Sequence, residues 1–176
     1  MLNAAELKKL TDDGKQAFEA GQYEPAAAMF DSAAQAYASL HDEVNAAEMQ
    51  NNRSVALLKM GQAQAALDAV LGTEKVFAGT GDLKRQGMAL GNQAAALEAL
   101  KRWDAAVAAY EASAGLFGEA GEGELRSMVL KSSAAIKLRR GKIGESAIKM
   151  IGSLEAKEKP SLFERALKFL LHFAQR

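Results

Sequence analysis

The sequence contains no cysteine, only two prolines and few aromatic residues. Aromatic side chains make up 6% of its 176 residues. The absence of cysteine excludes disulfide bonds and thiol chemistry. Both prolines, Pro25 and Pro160, lie where a helix is predicted to start, and proline is tolerated at that position. Neither proline therefore argues against a helical protein.

Long hydrophobic runs are also missing. No stretch of about 18 apolar residues occurs, so the sequence predicts no membrane-spanning helix. The first residues, MLNAAELKKLTDD, lack the apolar centre of a secretory signal peptide. Together with the missing cysteines, these observations favour a cytoplasmic location.

The residue patterns of catalytic and metal sites are absent as well. The two histidines, His41 and His172, have no metal ligand or catalytic base at a useful spacing, and no serine lies in a nucleophile elbow. The glycines between Gly115 and Gly123 lack the preceding strand and the spacing of a phosphate-binding loop. We therefore predict that the protein is not an enzyme and uses no cofactor or metal.

Alanine, by contrast, is abundant, and hydrophobic residues account for 49% of the chain. Alanine favours helix, and its small side chain lets helices approach closely. The clearest helical pattern lies at 83–100 and 104–117, where apolar residues recur at helical spacing. Only three residues separate these two helices, so they are predicted to be antiparallel neighbours. Such a pair cannot bury its apolar face alone and needs further copies stacked against it.

Further copies occur at a period of 40 residues. Helices are predicted at 3–20, 24–40, 43–60, 63–78, 83–100, 104–117, 123–140 and 144–157. Three kinds of position repeat: the turn within each pair, a small residue in the second helix, and a large apolar residue four positions later. The turns are Gly21, Gly61, Lys101 and Gly141; the small residues are Ala26, Ala66, Ala106 and Ser146; the large ones are Phe30, Val70, Tyr110 and Met150.

These residues carry a family resemblance. Small, aromatic and alanine positions of the tetratricopeptide repeat (TPR) are matched by Ala94, Leu97, Trp103, Ala106, Tyr110 and Ser113. The period of 40, the Gly-Asp join at 81–82 and the Leu-Gly-Asn at 90–92 are more similar to the long TPRs of kinesin light chain and the LGN/Pins adaptors. The resemblance covers roughly residues 5 to 157. It implies an all-α, right-handed superhelix of four antiparallel helix hairpins.

We accordingly predict two regions. Residues 1–160 hold four TPR-like repeats, at about 3–40, 43–80, 83–120 and 123–158, and residues 161–176 form a C-terminal amphipathic helix. Ser161 and Glu164 form the capping box that starts this helix. Its apolar arc includes Leu162, Phe163, Leu167, Phe169, Leu170 and Phe173.

The C-terminal helix has three possible roles. It caps the last repeat, it pairs with a second copy to form a homodimer, or it lies on a membrane surface. Charge bears on the last role: 126–176 contains 12 Lys and Arg against 4 Asp and Glu, whereas the rest contains 10 against 18. The net charges are therefore +8 and −8. The small basic patch around Arg139 has no interleaved aromatic residues, so we predict no nucleic-acid binding.

The resemblance implies that the first helix of each pair lines a concave groove that binds a peptide or helix of another protein. Asn52, Asn92 and Ser132 follow one another at 40-residue intervals. An amide both donates and accepts hydrogen bonds, so it suits a peptide backbone; alternatively, these asparagines bond within their own repeat or to water. The predicted groove residues are Lys15, Glu48, Asn51, Asn52, Asn92, Lys131, Ser132 and Arg139, with Val55, Met88, Ala95 and Ala135 beside them.

Overall fold

The computed structural model describes residues 3–141, apart from the side chain of Ala4. Within this part of the chain all regular secondary structure is α-helical, which confirms the prediction of an all-α protein for these residues. The predicted helices 144–157 and 161–175, and every role predicted for Leu162, Phe163, Leu167, Phe169, Leu170 and Phe173, lie outside the described residues. The helices are α1 (Ala4–Glu19), α2 (Tyr23–Ser39), α3 (Glu43–Lys59), α4 (Ala63–Val70), α5 (Thr73–Gly79), α6 (Leu83–Ala99), α7 (Trp103–Glu119) and α8 (Gly123–Arg139).

The chain divides into two compact units, Met1–Ser133 and Ala134–Arg176. In the first unit, each helix up to α7 packs on the next one in the chain, except that α4 and α5 are joined by a short break. Helix α3 also packs on α5 and α6, and α4 also packs on α6. In the second unit, the described residues are the last turns of α8 and its end at Gly141.

The helices end in a turn that recurs every 20 residues. A residue with positive φ closes every described helix except α4, and the N–H two positions after the C-cap bonds to a carbonyl five residues earlier in the turns up to Glu122. This is the Schellman geometry, and it favours glycine because glycine has no Cβ to clash. His41 and Lys101 adopt the same conformation, with φ of 58° and 60°, at a cost of about 1–2 kcal/mol each. The positive-φ residues of this series are Gly21, His41, Gly61, Gly81, Lys101, Gly121 and Gly141.

The core is built from the repeating positions. Ala26, Ala66 and Ala106 are completely buried, and the large residues four positions later, Phe30, Val70 and Tyr110, are buried too. Small side chains bring the helix axes close together, and the large ones fill the space beyond them. The period of 40 therefore recurs in the burial of side chains in the first unit.

One helix differs from the prediction. The sequence predicted a single helix over 63–78, but α4 ends at Val70 and α5 begins at Thr73. Leu71 is extended, with ψ of 127°, and Gly72 has φ of 88°. The Thr73 hydroxyl donates to the carbonyl oxygen of Val70 at 2.8 Å, so a backbone acceptor at the break is satisfied locally.

Candidate functional site

Asn51 is a buried structural residue of α3. Its Nδ2 donates to the carbonyl oxygen of Ala47 at 3.0 Å and to Oγ1 of Thr73 at 2.9 Å. Its Oδ1 accepts a hydrogen bond of 3.1 Å from Nδ2 of Asn92. The amide thus joins α3, the start of α5 and α6. Asn51 was predicted to line the groove, but its side chain is only 7% exposed and is hydrogen bonded within the protein.

Asn92 lies half-buried between this network and an open cavity. Its Nδ2 is used by Asn51, and Oδ1 receives no hydrogen bond from residues 3–141. The cavity has a volume of about 250 Å³ and is formed by α6, α7 and the first turns of α8. We call it the methionine cavity. Its lining is Met88, Gly91, Asn92, Ala95, Tyr110, Phe117, Leu125, Met128, Val129 and Ser132.

Two methionines form the exposed part of the methionine cavity. Met88 is 45% and Met128 is 58% exposed, although both side chains are large and apolar. Methionine is flexible and polarisable, so it adapts to partners of different shapes. Exposed apolar side chains that line a cavity are typical of interaction sites, whereas isolated ones carry little information.

The inner wall of the methionine cavity is rigid and uncharged. The Tyr110 hydroxyl donates to Oε2 of Glu98 at 2.9 Å. Burial raises the pKa of Tyr110, and the hydrogen bond to Glu98 raises it further, while a hydrogen bond from Ser132 acts in the opposite direction. Tyr110 therefore stays protonated across the physiological pH range and holds Ser132 at the wall of the cavity.

A second cavity lies between α1, α2 and α3. Its volume is about 170 Å³, and we call it the phenylalanine cavity. Within residues 3–141 the Asn52 side chain makes no hydrogen bond, so its amide is available to a ligand. Lys15 is exposed beside it. The lining is Lys15, Phe18, Glu19, Phe30, Asn52 and Val55.

The two cavities occupy equivalent places in the repeat. Lys15 corresponds to Ala95, Phe30 to Tyr110, and Asn52 to Ser132, each pair being 80 residues apart. Each cavity is made by one helix pair together with the first helix of the next pair. The same arrangement is thus built twice in the first unit.

The remaining predicted residues lie elsewhere. Glu48 faces Nη1 of Arg85 at 3.3 Å, and the same arginine binds Oδ2 of Asp82 at 2.7 Å. Lys131 and Arg139 are exposed on α8. Sequence reasoning missed Met128, although it lies 40 residues after the predicted Met88, so the period alone would have found it.

Neither a metal centre nor a membrane span can be recognised in this region. Among residues 3–141 no three His, Cys, Asp or Glu side chains come together in a way that could hold a metal ion. None of the described helices is long and apolar enough to cross a bilayer. A search against protein-family models and a search of curated proteins found no match to the chain. The two cavities are therefore the features from which a function is argued.

Proposed function

We propose that the protein is a non-enzymatic interaction scaffold that binds a peptide or helix of another protein along its first helices, α1, α3, α6 and α8. The observation that carries this proposal is the repetition of one cavity at two equivalent places, 80 residues apart. A repeated cavity suits a ligand that is itself extended, because successive parts of the ligand meet successive copies of the same site.

The proposal includes a TPR-like architecture. The 40-residue register of turns and buried alanines supports it, as does the packing of consecutive helices. In a right-handed superhelix of this type the first helix of each pair lines the concave side. The phenylalanine and methionine cavities would then lie along one groove.

Each cavity offers a different kind of contact. In the methionine cavity, Met88 and Met128 take an apolar side chain, and burying one such side chain contributes about 1.5–3 kcal/mol. The open Oδ1 of Asn92 accepts a backbone N–H of the ligand, which adds about 0.5–1.5 kcal/mol. In the phenylalanine cavity, the Asn52 amide donates and accepts, and Lys15 favours an acidic group of the ligand.

The methionines give the cleanest test of the proposal. Replacing Asn92 with alanine would leave the buried Oδ1 of Asn51 without a partner, so loss of binding could be confused with partial unfolding. Met88→Gln with Met128→Gln keeps the shape of two partly exposed side chains and removes only their apolar character. The matched control is Leu40→Gln with Leu130→Gln, two exposed apolar residues that do not line the cavity.

The experiment captures partners from native lysate and then measures binding of the captured partner by fluorescence anisotropy. We expect the methionine variant to bind at least about tenfold more weakly than the wild type, since apolar contacts of more than about 1.4 kcal/mol are lost. The control should bind normally, and circular dichroism should give both variants the wild-type helix content. Equal affinity of the methionine variant and the control would rule out the methionine cavity as the binding site.

A further inference from the structure

A third cleft lies on the other side of α3. It has a volume of about 720 Å³ and is formed by α2, α3, α4 and the break between α4 and α5. Glu43 lines this cleft and Asn52 lines the phenylalanine cavity; they are nine residues apart on α3, which places them about 180° apart around the helix. The cleft is therefore distinct from the groove proposed above. Its surface is dominated by Ala34, Ala38, Ala46, Ala47, Ala65 and Ala69, and we call it the alanine cleft.

The helix break shapes the end of the alanine cleft. Because α4 stops at Val70, Leu71 turns outward and is 52% exposed at the rim, and Gly72 offers no side chain. The break is held by Thr73, whose hydroxyl bonds to the carbonyl oxygen of Val70 and to Asn51. The cleft is thus a fixed feature of the fold. Its small side chains leave room for the backbone of a ligand to come close.

The charges around the alanine cleft are predominantly negative. The single cationic side chain in its lining, Arg53, is paired with Oδ1 of Asp31 at 2.7 Å and is thereby neutralised. Glu43 and Asp68 remain at the cleft without a cationic partner among the described residues. Asp68 accepts one hydrogen bond, from the neutral amide of Gln64 at 2.8 Å. The cleft therefore combines an apolar floor with a net negative rim.

We propose that the alanine cleft binds a basic amphipathic helix of another protein. The apolar stripe of that helix lies on the alanine floor and against Leu71, and its flanking Lys or Arg side chains meet Glu43 and Asp68. Helix-in-groove binding uses this combination of an apolar seam with complementary charge at its edges. The site is independent of the groove on the opposite face of α3, so the protein would hold two different partners.

The test uses three labelled helical peptides of roughly 18 residues, or five turns, with one Ala/Leu stripe flanked by Lys, Gln or Glu. Anisotropy should show that the Lys peptide binds wild-type protein at least about tenfold more tightly than the Gln peptide, and the Glu peptide most weakly. Ala65→Arg, which fills the cleft and repels lysine, should weaken the Lys peptide at least about tenfold. The matched control is Ala105→Arg, an exposed residue of α7 that lies 40 residues after Ala65.

A charge variant separates the rim from the floor. Glu43→Gln with Asp68→Asn should abolish the preference for Lys over Gln without removing the cleft. Glu24→Gln with Glu119→Gln removes the same charge from exposed positions elsewhere and should leave the preference unchanged. The methionine variant described above should bind the Lys peptide normally, which distinguishes failure of this proposal from failure of the proposed groove.

Three results would overturn the proposal. The Lys peptide does not bind; it binds no better than the Gln peptide; or Ala65→Arg and Ala105→Arg affect it equally. Light scattering covers the remaining occupant, since a homodimer that Ala65→Arg dissociates would assign the alanine cleft to a second copy of the chain instead.

Discussion

Gly87 lies at a position in α6 where a side chain has no room. A Cβ built there would come within 2.9 Å of the Phe117 ring, which is buried and cannot move away freely. Gly115, in α7, has nothing within 4 Å of the same position and is exposed. Gly87→Ala should therefore destabilise the protein by about 1–2 kcal/mol, because overpacking outweighs the gain in helix propensity. Gly115→Ala should stabilise it by about 0.5–1 kcal/mol, since only the propensity term applies.

Urea unfolding followed by circular dichroism measures both glycine variants. The two substitutions are chemically identical, so their opposite signs test the packing at Phe117 and nothing else. Equal stabilisation by both substitutions would mean that the ring is not held against α6.

The neighbouring residues Asn51 and Asn52 form a second pair with opposite expectations. Asn51→Ala removes bonds to Thr73 and Asn92 in a buried place, so we expect the free energy of unfolding to fall by about 1–3 kcal/mol. Asn52 has no hydrogen bond within residues 3–141, so Asn52→Ala should change stability by less than about 0.5 kcal/mol while weakening partner binding. Thermal and urea unfolding of the two variants checks this, and similar losses from both would contradict the hydrogen-bond network described for Asn51.

At the scale of single elements, Asp82 fixes the start of α6. Its Oδ1 accepts from the backbone N–H of Arg85 at 2.8 Å, and its Oδ2 accepts from Nε of the same residue at 2.7 Å. The backbone bond, followed by the side-chain bond, lowers the pKa of Asp82 below the ordinary value of 3.8. Arg85 also lies over the Phe77 ring at 5.3 Å and faces Glu48, so this cap ties α6 to α5 and α3.

A lowered pKa fixes the sign of a pH effect. The charged form of Asp82 is favoured by folding, so its contribution is complete above pH 3.8 and is lost as the pH falls through the lower folded pKa. Asp82→Ala should cost about 1 kcal/mol at pH 7, as N-cap losses usually do, and the difference from wild type should shrink toward pH 2. Urea unfolding at pH 7, 4 and 2 measures it, and a difference that stays constant with pH would exclude the ionised cap.

The elements also differ in how far the sequence determines them. Gly21, Gly61 and Gly81 end helices, and their 40-residue spacing with small and large apolar positions made the helix ends predictable. Gly72 was not recognisable in this way, because Gly14 and Gly87 lie inside continuous helices. What distinguishes Gly72 is the bond from Asn51 to Thr73, 22 residues away, and such tertiary contacts cannot be read from local propensity.

At the scale of the whole molecule, the period predicted which residues share a site better than the residue types did. Asn52, Asn92 and Ser132 were found by their spacing, and the structure places each of them at a cavity. Asn51 lies one position away on α3, which turns it about 100° into the interior. The alanine cleft could not be anticipated, because it depends on a break that the sequence does not announce.

Charge gives a final prediction for the whole molecule. The formal net charge at pH 7 is +0 and the isoelectric point is about 6.8, yet the sequence carries −8 up to residue 125 and +8 beyond it. Without net repulsion, oppositely charged parts of different molecules attract one another, and this attraction reaches about 30 Å at 0.01 M salt but only about 8 Å at 0.15 M. We therefore expect static light scattering at pH 6.8 to show attraction between molecules at low salt that weakens as salt is added. At pH 9 the net charge is negative and the attraction should be smaller. Attraction that is insensitive to salt but lost in the Met88→Gln and Met128→Gln variant would instead assign self-association to the exposed methionines.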